Sequence, residues 1–216
     1  MILSLLYNVI KVAIIIALPF ICLIRGSLYL HYTKSFDTYP AIAISAVLSS
    51  ILILIYFYWI YGSLTKNKTT IKYLRRRFAI SMLLVFSFVL YTTAFISSDN
   101  TKGSEIKEEF YSLHPVLRLA SSTLFILDKK TIMTDASRIP EDYSKMGLKA
   151  IKNSLHYKQK DGYTYAIDLR TKNRSEFRNS LLRAYYFTLG FKTIRHTGTA
   201  DHLHVSMPCR YNKGAI

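Results

Sequence analysis

Near the C-terminus, Asp201-His202-Leu203-His204 sets two imidazoles at i and i+2. On a strand this spacing points both rings to one face. Together with His156 and Asp168, one of the pair offers an imidazole–imidazole–carboxylate set that can hold Zn²⁺ and leave a fourth position for water. An open position of that kind separates a hydrolytic centre from a structural zinc site, where the protein fills every corner.

The elements between these residues must bring them together. Asn153 to Arg170 reads as a β-hairpin with Lys160-Asp161-Gly162 at its tip. A two-residue Asp-Gly turn would set His156 opposite Ile167 and send Asp168 to the other face. A three-residue loop, with Gly162 left-handed, pairs Gln159 with Tyr163 and His156 with Ala166. Asp168 then becomes the diagonal neighbour of His156, ~7–8 Å away between Cα atoms. The second register is expected, and a slip of one residue would undo the site.

The neighbouring segments predict a small α+β domain over residues 104–216. Ser104 is placed to cap a short helix through Glu105, Glu108 and Glu109. Pro115 opens a second helix, Thr131 to Thr134 reads as a strand, and Arg138 to Asp142 as a loop leading into another helix. Asn173 to Leu189 is the clearest helix, with Phe177, Leu181, Tyr185 and Leu189 on one stripe and Gly190 as its stop. Phe191 to Arg195 and His202 to Met207 read as strands joined through Thr197-Gly198-Thr199. His114 and His196 read as ordinary surface or loop residues.

Upstream, three apolar runs are each long enough for a bilayer core, which takes ~20 residues. They are Ile2 to Ile24, Pro40 to Tyr61 and Phe78 to Ser97, the last two without a charged residue. Residues 1–97 therefore read as a membrane domain, and the polar stretch 98–103 as a linker. The loop from Gly62 to Arg77 holds Lys66, Lys68, Lys72, Arg75, Arg76 and Arg77 and no acid; Arg25 to Tyr39 holds only Arg25 and Lys34, offset by Asp37. The basic loop belongs on the cytoplasmic side, which predicts a multi-pass protein of the cytoplasmic (inner) membrane with its C-terminal domain on the periplasmic or extracellular side. The net charge of +16 then suits an anionic envelope polymer or lipid headgroups, or equally a solvated basic surface without a specific partner, and nucleic acid is not expected as a partner. Cys22 and Cys209 are too far apart in this scheme to form a bridge.

The motifs resemble those of zinc D-alanyl-D-alanine carboxypeptidases and dipeptidases and their phage endolysin relatives. Ser154-Leu155-His156 and Ala166-Ile167-Asp168 match the two ends of that family's Ser-x-His-x-x-Gly-x-Ala-x-Asp segment, and Asp201-His202-Leu203-His204-Val205 matches its later His-containing segment. Thr134 to Glu141 looks like its Ser-Gly-Tyr-Arg-Ser-Pro-Glu stretch. The resemblance covers about residues 131–207 in the family's order. Two departures stand out. Eleven residues, not six, separate His156 from Asp168, and Asp201 stands where the family has Glu.

The resemblance implies that His156, Asp168 and His204 are zinc ligands and Asp201 the general base. It implies that His202 donates to the oxyanion, that Arg138 binds a terminal carboxylate, and that Ser154 binds substrate. The expected activity is cleavage of peptidoglycan stem peptides by a membrane-anchored zinc metallopeptidase of D,D-carboxypeptidase or dipeptidase type. One alternative is a catalytically altered zinc-containing module that binds cell wall or a protein partner. Another is a membrane structural protein whose spans are the working part.

Overall fold

The computed structural model describes residues 2–65, 71–145, 147, 152–198 and 200–215. Three long helices come first: α1 (Ile2–Tyr32), α2 (Thr38–Thr65) and α3 (Ile71–Ala94). All three are long and apolar enough to cross a membrane. Lys66 and Lys68 of the expected inner loop lie outside the described residues, as does Thr199. Lys72, Arg75, Arg76 and Arg77 belong to the first turns of α3 rather than to a loop.

Most of the expected loop after the first span is also helix, which leaves residues 33–37 as the connection. α1 runs on to Tyr32, and Leu23, Ile24 and Leu28 are buried in the same apolar core as the C-terminal sheet. Arg25 Nη1 donates to Thr188 O at 3.0 Å, and Arg210 Nη1 donates to Ser35 O at 2.9 Å. The α1–α2 connection and the C-terminal domain therefore sit at the same end of the helical bundle, the end at which α3 finishes.

The C-terminal part continues through α4 (Ser104–Glu109), α5 (Pro115–Leu127), β1 (Met133–Asp135), α6 (Pro140–Lys145), β2 (Ala166–Arg170), α7 (Glu176–Leu189), β3 (Lys192–His196) and β4 (His202–Ser206). The strands form one antiparallel sheet in the order β1-β2-β4-β3. Ile167 and Leu169 of β2 and Leu203 and Val205 of β4 are fully buried. Strict alternation then leaves Asp168, His202 and His204 on the opposite face. The residues between α3 and α4 are tied in: Asn100 Nδ2 donates to Thr131 O at 2.8 Å, and Lys102 N donates to Met133 O at 2.9 Å.

Three local expectations change. Ser104 lies inside α4, whose N-cap is Gly103 with no side-chain cap bond. In α7 the cap Ser175 and the left-handed stop at Gly190 (φ +95°) match expectation, but the buried face is Asn179, Leu182, Tyr186 and Leu189. Phe177 (73 % exposed) and Leu181 (54 %) point outward. The four-residue stripe drifts around the helix, and the face that packs follows 3.6-residue spacing. His114 is fully buried rather than superficial: its Nδ1 accepts from Val116 N at the start of α5, and its Nε2 meets Thr38 Oγ1 at 2.9 Å.

Candidate metal centre

The tip of the 153–170 segment turns as expected. Gln159 N donates to Tyr163 O at 2.8 Å, and Gly162 is left-handed at φ +83°. The ladder does not continue, however. Tyr165 N bonds Leu155 O, two residues off the expected register, and β2 takes β1 and β4 as its partners. His156 therefore reaches the site from a turn. Its N–H donates to Ser154 Oγ at 3.2 Å and its carbonyl accepts from Arg138 N at 3.0 Å.

Asp168 and His204 are direct cross-strand partners on β2 and β4, with Asp135 of β1 opposite Asp168. Three atoms meet above this row. His156 Nε2 lies 3.2 Å from His204 Nδ1 and 3.3 Å from Asp168 Oδ1, and His204 Nδ1 lies 2.9 Å from the same oxygen. All three residues are buried. Tetrahedral ligands at ~2.0–2.1 Å from zinc stand roughly 3.3–3.4 Å apart, so this triangle needs to open by under about half an ångström to accept the ion.

The proton inventory is compatible with a cation there. His156 Nδ1 faces Ala136 O at 3.2 Å, with Asp135 Oδ1 at 3.4 Å, so it carries the hydrogen. In a neutral ring Nε2 is then a lone pair, with His204 Nδ1 at 3.2 Å and Asp168 Oδ1 at 3.3 Å. A hydrogen on His204 Nδ1 shared by these two acceptors satisfies the group, and a metal ion held by all three atoms can take its place. The carbonyl and carboxylate behind Nδ1 are the outer partners that orient a metal-ligating imidazole. His204 Nε2 is buried without a hydrogen-bond partner among the described residues.

A shell of charge surrounds the triad. Arg138 donates Nη2 to Asp168 Oδ2 at 2.7 Å and Nε to Asp135 Oδ2 at 2.9 Å, and its plane lies over Tyr143 at 5.3 Å. Burial opposes ionisation of Asp168, but the charge and hydrogen bond of His156, followed by those of His204, hold its carboxyl well below the usual range. Burial lifts Asp135 above that range, with His156 and Arg138 pulling the other way. Glu109 at the end of α4 accepts from Ala136 N (2.8 Å) and Ser137 N (2.9 Å) and so fixes the loop carrying Arg138.

The other sequence candidates are placed differently. Ser154 Oγ meets Tyr143 OH at 2.9 Å and supports His156 N, so it serves the turn that presents His156. Asp201 accepts from Thr171 Oγ1 at 2.6 Å and from Arg195 Nε and Nη2 at 3.0 and 2.7 Å. It borders the cavity, but a position three residues before His204 falls on the opposite side of the pleat, beside Thr171 and Arg195. Those bonds, Arg195 first, hold its carboxyl at about 2. His202 is on the triad's face: Nε2 lies 3.6 Å from Asp168 Oδ2 and Nδ1 lies 2.6 Å from Ala200 O.

Asp135, Glu109, Tyr143 and His196 join the site without a signal in the sequence motifs. His196 is the cross-strand partner of His202, their rings stack at 5.0 Å, and it lines the cavity. A hairpin register drawn across residues 197–201 would have found it. The cavity over the triad measures about 920 Å³.

A second grouping, His31, His114 and Asp161, also brings ligand-type atoms within 4.8 Å. There His114 uses both ring nitrogens in hydrogen bonds. Tyr165 OH lies 3.1 Å from His31 Nε2 and donates to Asp161 Oδ2 at 2.6 Å. That cluster is internally satisfied and ties the α1–α2 connection to the domain.

No family model, no curated protein and no solved structure matches this chain.

Proposed function

We propose that this chain is a membrane-anchored zinc metallopeptidase whose substrates are peptidoglycan stem peptides. The observation that carries the metal site is the triangle of His156 Nε2, Asp168 Oδ1 and His204 Nδ1, with sides of 3.3, 2.9 and 3.2 Å and acceptors behind His156 Nδ1. The peptide substrate rests on the four motif resemblances in family order. The cytoplasmic membrane and an outward-facing domain rest on the three apolar helices and the basic residues around the start of the third. The large cavity beside the triad suits a short peptide.

A bound zinc ion would supply Lewis acidity and a coordinated water with a pKa of about 7. Asp168, kept ionised by its imidazole neighbours, offers the negative ligand, and Arg138 fixes the direction of its second oxygen. His202 can donate from Nε2 to a developing oxyanion only as the imidazolium, because Nδ1 already faces Ala200 O. Asp201 Oδ2 accepts one bond, from Arg195, so one lone pair remains to accept a proton or orient a water. A carboxyl held at about 2 suits orienting better than storing a proton.

A second reading, a zinc-containing binding module without turnover, is favoured by the Arg195–Thr171 clamp on Asp201. The full chain, purified in detergent with zinc and incubated with muropeptides, separates the two. The peptidase reading expects cleavage that is abolished by chelation and by His204→Ala; unchanged muropeptides with retained cell-wall affinity would leave the binding module.

A further inference from the structure

Arg138 cannot serve as a free carboxylate clamp, because its Nε and Nη2 are held by Asp135 and Asp168. Another guanidinium lies nearby. Arg170 is two residues beyond Asp168 on β2, so both side chains leave the same face of the sheet, one pleat or ~6.6–7 Å apart. Its cross-strand partner is His202, just as that of Asp168 is His204. The sheet thus presents two successive rows: Asp168 and His204, then Arg170 and His202 with His196 beside them.

Arg170 is half-buried, lines the cavity, and meets no carboxylate among the described residues. Arg138, Arg174, Arg195 and Arg210 each hold an aspartate, and of the arginines without one among the described residues Arg170 alone lines the cavity. Lys102 lines the same cavity, with its backbone fixed to Met133 at the sheet edge and its ammonium without a partner among the described residues. A planar five-donor fork kept half out of water, next to a metal-type site and a second cation, is arranged to receive an anion.

We propose that Arg170, assisted by Lys102, is a carboxylate-binding subsite one pleat from the metal ligands, and that it selects peptides with a carboxylate on the leaving side of the bond. The choice of a peptide as ligand rests on the peptidase reading; the anion subsite itself does not.

The test uses the full zinc-loaded chain in detergent and three short peptides: one with a free C-terminal carboxylate, its C-terminal amide, and that amide carrying an aspartate side chain. Equilibrium binding is measured, with peptide integrity checked afterwards. The wild type is expected to bind the free carboxylate at least about tenfold tighter than the amide, the net worth of one charge-assisted pair. Arg170→Gln removes the preference at unchanged zinc content, and Arg170→Lys keeps part of it. Should Arg170→Gln lose its zinc, Lys102→Gln carries the comparison, with a weakened preference expected. Equal gain from the aspartate side chain, lost in Arg170→Gln, supports the subsite and assigns it to an internal carboxylate. No preference in the wild type, or a preference intact in Arg170→Gln, overturns the proposal. Preference without hydrolysis of any peptide would sink the peptidase reading and leave the subsite standing.

Discussion

Replacing Asp135 probes the support behind the proposed metal ligands without touching one of them. Its Oδ1 stands 3.4 Å behind His156 Nδ1, and its Oδ2 takes the Nε–H of Arg138 at 2.9 Å. Adding the imidazole ring and a metal bond of ~2.0 Å puts the carboxylate roughly 7–8 Å from the ion. At an effective dielectric of about 20, a unit charge and a divalent ion at that distance interact by about 4 kcal/mol. Arg138 offsets much of this, so the expected loss is that of a typical outer partner, about 10–100-fold in affinity, or roughly 1.4–2.7 kcal/mol. Asp135→Asn removes the charge but keeps an oxygen for Nδ1–H. Asp135→Ala removes both and is expected to bind zinc no better than the amide variant, with Ala136 O still steering the ring. Competition against a zinc-chelating dye, with the full chain in detergent, reads the affinities. Asp128→Asn, whose carboxylate holds Arg174 at 2.7 Å away from the cavity, is the control and is expected to leave affinity unchanged. Affinity within threefold of wild type in both Asp135 variants would refute a role for Asp135 behind His156.

Two further outcomes follow from placements that differ from the sequence expectation. Ser154→Ala is expected to lower stability by about 1–3 kcal/mol, because it strips a partner from Tyr143 OH and from His156 N; thermal unfolding reads this, and a raised KM at unchanged stability would restore Ser154 to a substrate role. The Asp201 carboxyl is depressed to about 2 in the folded chain from about 3.9 when unfolded. Its contribution is therefore complete above pH ~5 and fades as the pH falls from about 4 towards 2. Melting curves of wild type and Asp201→Asn should converge on acidification, and a gap that stays constant to pH ~2 would contradict the Arg195 clamp.

The shared face of His202 and His204 was legible because it rests on a short-range rule. Two-residue alternation put His202 and His204 on one face, and the motif order singled out His156 and Asp168. The route by which His156 arrives was not legible. A hairpin explains a pair of residues twelve apart, but β2 pairs with β1 and β4, its Ile167 and Leu169 fully buried, and His156 is delivered by the Ser154 turn instead. Asp201 lies beside Thr171 and Arg195, because the same alternation that aligns His202 with His204 turns a residue three before His204 away from them. Asp135 could not be found locally, since only the β1–β2 pairing, more than thirty residues apart in sequence, brings it to Asp168. The long apolar runs announced α1 to α3, while the burial of Leu23, Ile24 and Leu28 against the sheet depends on tertiary contacts that no window of sequence contains.

Metal analysis of the purified full chain, wild type beside Asp168→Ala, His204→Ala and His31→Ala, reaches the core of the account. One zinc per chain is predicted for the wild type and for His31→Ala, and none above background for the two triad variants. A wild type without stoichiometric metal, or zinc retained when Asp168 and His204 are removed in turn, would contradict it.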